Sequence, residues 1–208
     1  MLLQLAIDLY HLTDALALLE KVGREVDVIE IGTPLIKNEG LAAVGEVKRR
    51  FPDKHVLADM KTMDAGALEA RLAFDAGADI VTVLALADDD TIRGAVSESA
   101  PRGRLVVADL IGVHDMPARA SGLRALGIRA VEVHSGLDEQ ARGASPFDIA
   151  ARVRASSPEL RIAVAGGVKP SNVRRLAEAR ADVAVVGAAI YSAHDPVAVV
   201  RELRSAIA

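Results

Sequence analysis

The segment Asp59-Met60-Lys61-Thr62-Met63-Asp64 sets two carboxylates and an amine in a D-x-K-x-x-D pattern, at the end of the apolar run His55–Met60. On an extended strand end, side chains two residues apart point the same way, so Asp59 and Lys61 are expected on one face. An amine there can stabilise a developing enolate oxygen or deliver a proton. Asp64 opens the following helix, where an N-cap over Ala65-Gly66-Ala67 accounts for it by itself. Four further apolar runs end in an ionisable group: Asp8, Glu30, Asp109 and His134. One such residue is ordinarily a helix cap or a solvated loop group. Five gathered on one rim need compensation, because like charges held together repel by several kcal/mol. Lys61 and a bound divalent cation would supply it. Near the other end of the chain, Ala165-Gly166-Gly167 and Gly187-Ala188-Ala189 close two more runs. Residues this small let backbone N–H groups approach an anion, and a phosphate is the expected guest.

These groups need a frame that brings strand ends together. Short β-branched apolar runs recur along the 208 residues: Leu3–Asp8, Val26–Ile31, His55–Met60, Asp79–Leu84, Arg104–Leu110, Ala130–His134, Arg161–Ala165 and Val183–Gly187. They are continuous rather than alternating, as parallel strands buried on both faces are. Helical spacing fills the gaps: Leu12, Leu16 and Leu19 share a face, and so do Val200, Leu203 and Ile207. Gly77-Ala78-Asp79, Gly127-Ile128-Arg129 and Arg180-Ala181-Asp182 mark steps from helix to strand. Eight βα units in a row predict a single (β/α)8 TIM barrel over 1–208. A doubly wound open sheet is the alternative, but its Gly-rich first turn is replaced by Ile7-Asp8-Leu9-Tyr10. In a barrel, strand ends at the carboxyl face carry the chemistry, and the loops after the seventh and eighth strands hold phosphate.

Composition narrows the choice of partner. With 51% hydrophobic and 26% charged residues the chain is expected to fold. A net charge of −4 and 2% aromatics argue against nucleic acid as a partner. The absence of cysteine removes disulfides, thiol catalysis and thiolate metal sites. No apolar run reaches about 18 residues, so no membrane span is expected. Met1 runs into an apolar segment without a basic stretch, so no secretory signal and a cytoplasmic location are expected.

At these residues the chain resembles the orotidine 5′-monophosphate decarboxylase suprafamily, and within it the 3-hexulose-6-phosphate synthases. The likeness is carried by Ile29-Glu30-Ile31-Gly32-Thr33-Pro34-Leu35-Ile36-Lys37-Asn38-Glu39-Gly40, Ala58-Asp59-Met60-Lys61-Thr62-Met63-Asp64-Ala65-Gly66, Asp109-Leu110-Ile111-Gly112-Val113, His134-Ser135-Gly136-Leu137-Asp138-Glu139-Gln140 and Val164-Ala165-Gly166-Gly167-Val168-Lys169. The resemblance implies an aldehyde-lyase. Ribulose 5-phosphate loses a C1 proton to give a 1,2-enediolate, which adds reversibly to formaldehyde and yields 3-hexulose 6-phosphate. It implies that Glu30 and Asp59 hold Mg2+, with Asp8 and Lys61 as a polar pair beside it. It implies His134 as the leading proton-transfer residue with Asp109 nearby, and Gly166, Gly167, Gly187 and Ala188 on the phosphate. Asp64 is expected to reach a partner subunit's active site, which implies a homodimer, and a separate 6-phospho-3-hexuloisomerase is the metabolic partner. His134 has the intrinsic pKa of a base, and Lys61 is the alternative if burial lowers its own.

The pattern departs from these synthases at Ser135 and at Gly187-Ala188, where Thr and Gly-Gly are usual; hydroxyl and backbone N–H survive both changes. Two other readings stand beside it. One is 3-keto-L-gulonate 6-phosphate decarboxylase or another sugar-phosphate enediolate enzyme. That decarboxylase looks to carry Glu where this chain has Asp109, and Arg where it has Leu137. The other is a non-catalytic sugar-phosphate-binding barrel.

Overall fold

The computed structural model describes residues 1–207. Its strands are β1 (Leu2–Ile7), β2 (Val28–Ile31), β3 (His55–Thr62), β4 (Ile80–Leu84), β5 (Leu105–Asp109), β6 (Ala130–His134), β7 (Arg161–Ala165) and β8 (Val183–Val186). Each pairs in parallel with the next, and β8 returns to β1, so the sheet closes as the expected (β/α)8 barrel. The helices outside it are α1 (Leu12–Val22), α2 (Thr33–Glu39), α3 (Ala42–Arg50), α4 (Gly66–Asp75), α5 (Asp89–Ser99) and α6 (Met116–Leu123). They continue with α7 (Leu137–Ala141), α8 (Phe147–Ser156), α9 (Arg174–Glu178), α10 (Ala188–Tyr191) and α11 (Pro196–Ile207). Among the described residues, no helix is long and apolar enough to cross a membrane.

The continuous runs follow from two-sided burial. Outward side chains such as Leu3, Leu5, Ile7, Ile29 and Ile31 join Ala15, Leu19, Val200 and Leu203 in one core between barrel and helices. Each Leu or Ile fully buried there contributes about 1.5–3 kcal/mol. The inward positions differ. Ala6, Ala163, Ala165 and Val185 form a small separate apolar cluster. Gln4, Glu30, Asp59, Thr82, Asp109 and Glu132 are also buried. The outer core thus bears the fold and leaves one side of the interior free for polar groups.

At the amino ends of the strands an aspartate recurs. Asp27 accepts the N–H of Leu3 at 2.8 Å, Asp79 that of Val56 at 2.9 Å and Asp182 that of Ile162 at 2.7 Å. Each stands just before an even-numbered strand, ties down the start of the strand before it, and is paired with a basic side chain: Arg204, Lys48 or Arg154.

The expected cap at Asp64 is displaced. Ala65, with φ +53, precedes α4, and the Asp64 carboxylate takes the adjacent Ala65 N–H at 2.7 Å instead of an N–H inside the helix. The cause is a close approach of α4 to α5. A Cβ on Gly66 would run into the Thr91 carbonyl, so the helix starts where glycine lets the two backbones meet.

Candidate active site

The end of β3 is irregular. Its register with β4 shifts between Ala58 and Thr62, and Lys61 has φ +44, a left-handed conformation. Such a backbone costs a non-glycine residue on the order of 1 kcal/mol and recurs at functional sites. The Lys61 N–H donates to Thr82 Oγ1 at 2.9 Å, which anchors the kink to β4. Asp59 and Lys61 therefore converge through a bulge, not through the regular period of two. The Lys61 ammonium donates to Asp59 Oδ2 at 2.8 Å and to Asp109 Oδ2 at 3.0 Å.

The carboxylates are held from several sides. Asp59 Oδ1 accepts from the Thr82 hydroxyl at 2.8 Å, and Oδ2 from the Thr33 hydroxyl at 2.8 Å. Asp109 Oδ1 accepts the Ile111 N–H at 2.9 Å, while Oδ2 faces Nδ1 of His134 at 3.1 Å. Oε1 of Glu132 lies 3.2 Å from the same nitrogen. Glu30 accepts from the Gln4 amide at 2.7 Å. Asp8, just beyond β1, packs over Gly32, where a Cβ would collide with its carboxylate.

Electrostatics separates these groups. Burial would lower the Lys61 pKa, but Asp59, Asp109 and Glu132 together outweigh it and hold the amine charged. The alternative in which burial lowers the Lys61 pKa and so lets it act as the base is thereby corrected. Burial works against the Asp109 carboxylate, yet its bond to His134 and the charges of His134 and Lys61 hold it below the usual range. Burial also opposes a charged His134, but the hydrogen bond and charge of Asp109 raise its pKa. Glu30 is pushed well up by burial and by Glu132 and Asp59. Glu132 is pushed well up by burial and by Asp109. Asp8 rises by burial and by Asp59. Asp8, Glu30, Asp59, Lys61, Asp109 and His134 thus come together or feel one another's charge, whereas Asp64 is exposed and joins none of these bonds.

On the opposite side of the mouth, β7 lies between β6 and β8, with His134 in register with Ala165. Gly166 and Gly167 follow with φ +107 and +70, and a Cβ on Gly166 would meet the Ser135 carbonyl. Only glycine fits that turn. Gly187 and Ala188 open the short helix α10 directly after β8.

Sequence reasoning had no place for Glu132, Thr82, Thr33 or Gln4. A signal for Glu132 existed: it stands two residues before His134 and so shares its face of β6. The donor set suits a hard divalent cation. Five carboxylates face one amine and one imidazole, and the second oxygen of Glu30 has no hydrogen-bond partner among the described residues. Asp109, Glu132 and His134 each offer a ligand atom, all within 4.8 Å of one another, so an acidic–histidine group of metal-binding dimensions is present. The Lys61 ammonium already stands against Asp109 in that group.

Comparison with known proteins agrees with this geometry. The model of the orotidine 5′-phosphate decarboxylase / HUMPS family matches residues 1–203. A 3-hexulose-6-phosphate synthase of Mycobacterium gastri is 53% identical over 210 residues, covering 100% of both chains. The crystal structure of a 3-hexulose-6-phosphate synthase from Salmonella typhimurium superposes with a TM-score of 0.97 at 42% identity, covering 100% of this chain and 98% of that one. A 3-keto-L-gulonate-6-phosphate decarboxylase from Vibrio cholerae superposes at 0.88 with 30% identity, covering 99% and 96%. Synthase and decarboxylase thus share this barrel, and the fold by itself does not separate them.

Proposed function

The chain belongs to the orotidine 5′-phosphate decarboxylase / HUMPS family, and from that premise we propose that it is an aldolase-type lyase joining formaldehyde to D-ribulose 5-phosphate, giving D-arabino-hex-3-ulose 6-phosphate reversibly. The observation that carries this reading is the single Asp109 oxygen shared by a charged Lys61 and by His134. It supplies a fixed cation and a proton carrier side by side, which enediolate chemistry needs. Full-length identity to proteins named for this activity supports the substrate pair.

The residues take the following parts. Gly166, Gly167, Gly187 and Ala188 bind the phosphate through backbone N–H groups and so orient the sugar across the mouth. His134 takes the C1 proton, and Asp109, whose hydrogen bond and charge raise the His134 pKa against burial, steadies the imidazolium that results. The Lys61 ammonium balances the charge that develops on the enediolate oxygens. C1 then bonds to the formaldehyde carbon, and His134 returns its proton to the new alkoxide. Asp8, whose carboxyl feels the Lys61 charge, forms a polar pair with it beside the metal site. Glu30 and Asp59 would hold Mg2+. Bound there, the ion supplies a Lewis acid for the vicinal oxygens of the sugar. Leu137, exposed on α7, offers no charge to a substrate carboxylate, which favours formaldehyde transfer over decarboxylation.

Met63, next to Asp64 in the chain, and Leu68 and Leu72 on the following helix α4 are exposed apolar residues. This supports a homodimer in which Asp64 reaches the other subunit's mouth. The chain works in the cytoplasm, and a separate 6-phospho-3-hexuloisomerase takes up the product.

The test is consumption of formaldehyde with ribulose 5-phosphate, before and after removal of Mg2+. Metal-dependent loss of formaldehyde with appearance of a hexulose phosphate is expected. Asp59→Ala is expected to lose at least about 100-fold in rate while the barrel stays folded. No formaldehyde loss in the wild type, with CO2 release from 3-keto-L-gulonate 6-phosphate, would replace this reading by the decarboxylase.

A further inference from the structure

Asp109 carries three tasks: Oδ1 accepts the Ile111 N–H, and Oδ2 is shared between the Lys61 ammonium and Nδ1 of His134. Its hold on the imidazole therefore competes with a stronger, charged donor at 3.0 Å. Glu132 has no such competitor. Its side chain is 4% exposed, and Oε1 stands at ion-pair distance, 3.2 Å, from Nδ1 of His134, beside the hydrogen bond of that nitrogen to Asp109 Oδ2 at 3.1 Å. Among the described residues it enters no other close polar contact. The other imidazole nitrogen, Nε2, has no protein hydrogen bond among them either. Among the described residues no buried side-chain nitrogen or oxygen is left without a partner, so Nε2 is open to solvent.

We propose that Glu132 is a positioning residue for the aldol reaction: with Asp109 it brackets Nδ1 of His134, keeps the proton on that nitrogen and turns Nε2 toward the substrate. An ionised Asp109 can only accept, so the Nδ1 between it and Glu132 must donate. Outer acceptors of this kind fix the tautomer and ring plane of a histidine. The part played is that of an acceptor oxygen in place and does not require Glu132 to be charged. The inference rests on the proposed reaction for its kinetic consequence, and on the geometry together with an ionised Asp109 for its structural one.

The first measurement is the imidazole spectrum of wild-type enzyme labelled with 15N at histidine, with Mg2+ present and assigned by comparison with His134→Gln. Neutral His134 is expected to carry its proton on Nδ1. A proton on Nε2, or a metal on Nδ1, overturns the proposal whatever the activity. Kinetics follows with two variants. Glu132→Leu removes the oxygen, and kcat is expected to fall about tenfold with KM for ribulose 5-phosphate within twofold of wild type. Glu132→Gln keeps the oxygen and is expected to restore most of that loss. The thermal midpoint of Glu132→Leu is expected to be no lower than wild type, because an acid crowded by other carboxylates has been removed. Wild-type kcat in Glu132→Leu overturns the proposal. So does failure of Glu132→Gln to restore kcat, or a kcat loss that tracks a lowered midpoint, which marks a merely structural role. An inactive wild type would refute the aldol reading and leave the imidazole spectrum to decide the proton's place.

Discussion

His134 and the carboxylates around it tie stability to pH at the scale of single residues. His134 has a folded pKa above its ordinary 6.5, so its contribution is complete below that value and is lost as pH rises through the folded one. Glu30 and Glu132 have folded pKa values well above 4.5, so the folded state binds more protons and loses stability as pH climbs from there. Asp109 acts in the opposite sense. Its depressed pKa contributes stability above 3.8 that is lost only as pH falls below it. The metal-free protein is therefore expected to resist urea better at about pH 6 than at about pH 8.5. His134→Gln should flatten that difference, and a urea midpoint that rises from pH 6 to pH 8.5 would contradict these assignments. Asp8, Glu30, Asp59, Lys61, Asp109 and His134 were legible as ionisable ends of apolar runs. Glu132 was not, because it sits inside a run, where an acid between valines gives no boundary signal.

The strands, as elements, were legible because burial on both faces leaves a continuous apolar run. The helix-to-strand steps were legible through small residues. Gly77 and Gly127 take φ +108 and +92 there, and Arg180 takes φ +56 at the matching place before β8. Arg180 is exposed, so its left-handed backbone is a cost that its side chain does not offset. Arg180→Gly is expected to stabilise the barrel by about 0.5–1 kcal/mol, since relief of strain exceeds the added chain entropy. Urea unfolding measures it, and a destabilised variant would count against the argument. The end of β3 was read correctly in outcome and wrongly in cause. Two residues on a regular strand would have sufficed, yet Lys61 arrives through a kink held by the Thr82 hydroxyl. A hydrogen bond from a neighbouring strand leaves no mark on the local pattern.

For the whole molecule, the proposed homodimer makes a sharper claim than association alone. If Asp64 serves the other subunit's mouth, Asp64→Ala and Lys61→Ala complement each other. A mixed dimer then contains one intact site and one doubly altered site. Random reassortment of equal amounts should restore about a quarter of wild-type turnover, from half the dimers with half their sites intact. No recovery in a verified mixed dimer would remove Asp64 from the active site. By itself the sequence determined the barrel, the strand ends that carry charge and the glycines opposite them, because these follow from local composition and a repeat of one βα unit. Tertiary structure decided which charges touch. The shared Asp109 oxygen, the charged state of Lys61, the crowding of Glu30 by Glu132 and the start of α4 at Gly66 each depend on distances between elements far apart in the chain. Closing the barrel sets those distances, and Coulomb energy and desolvation change steeply over a few ångströms.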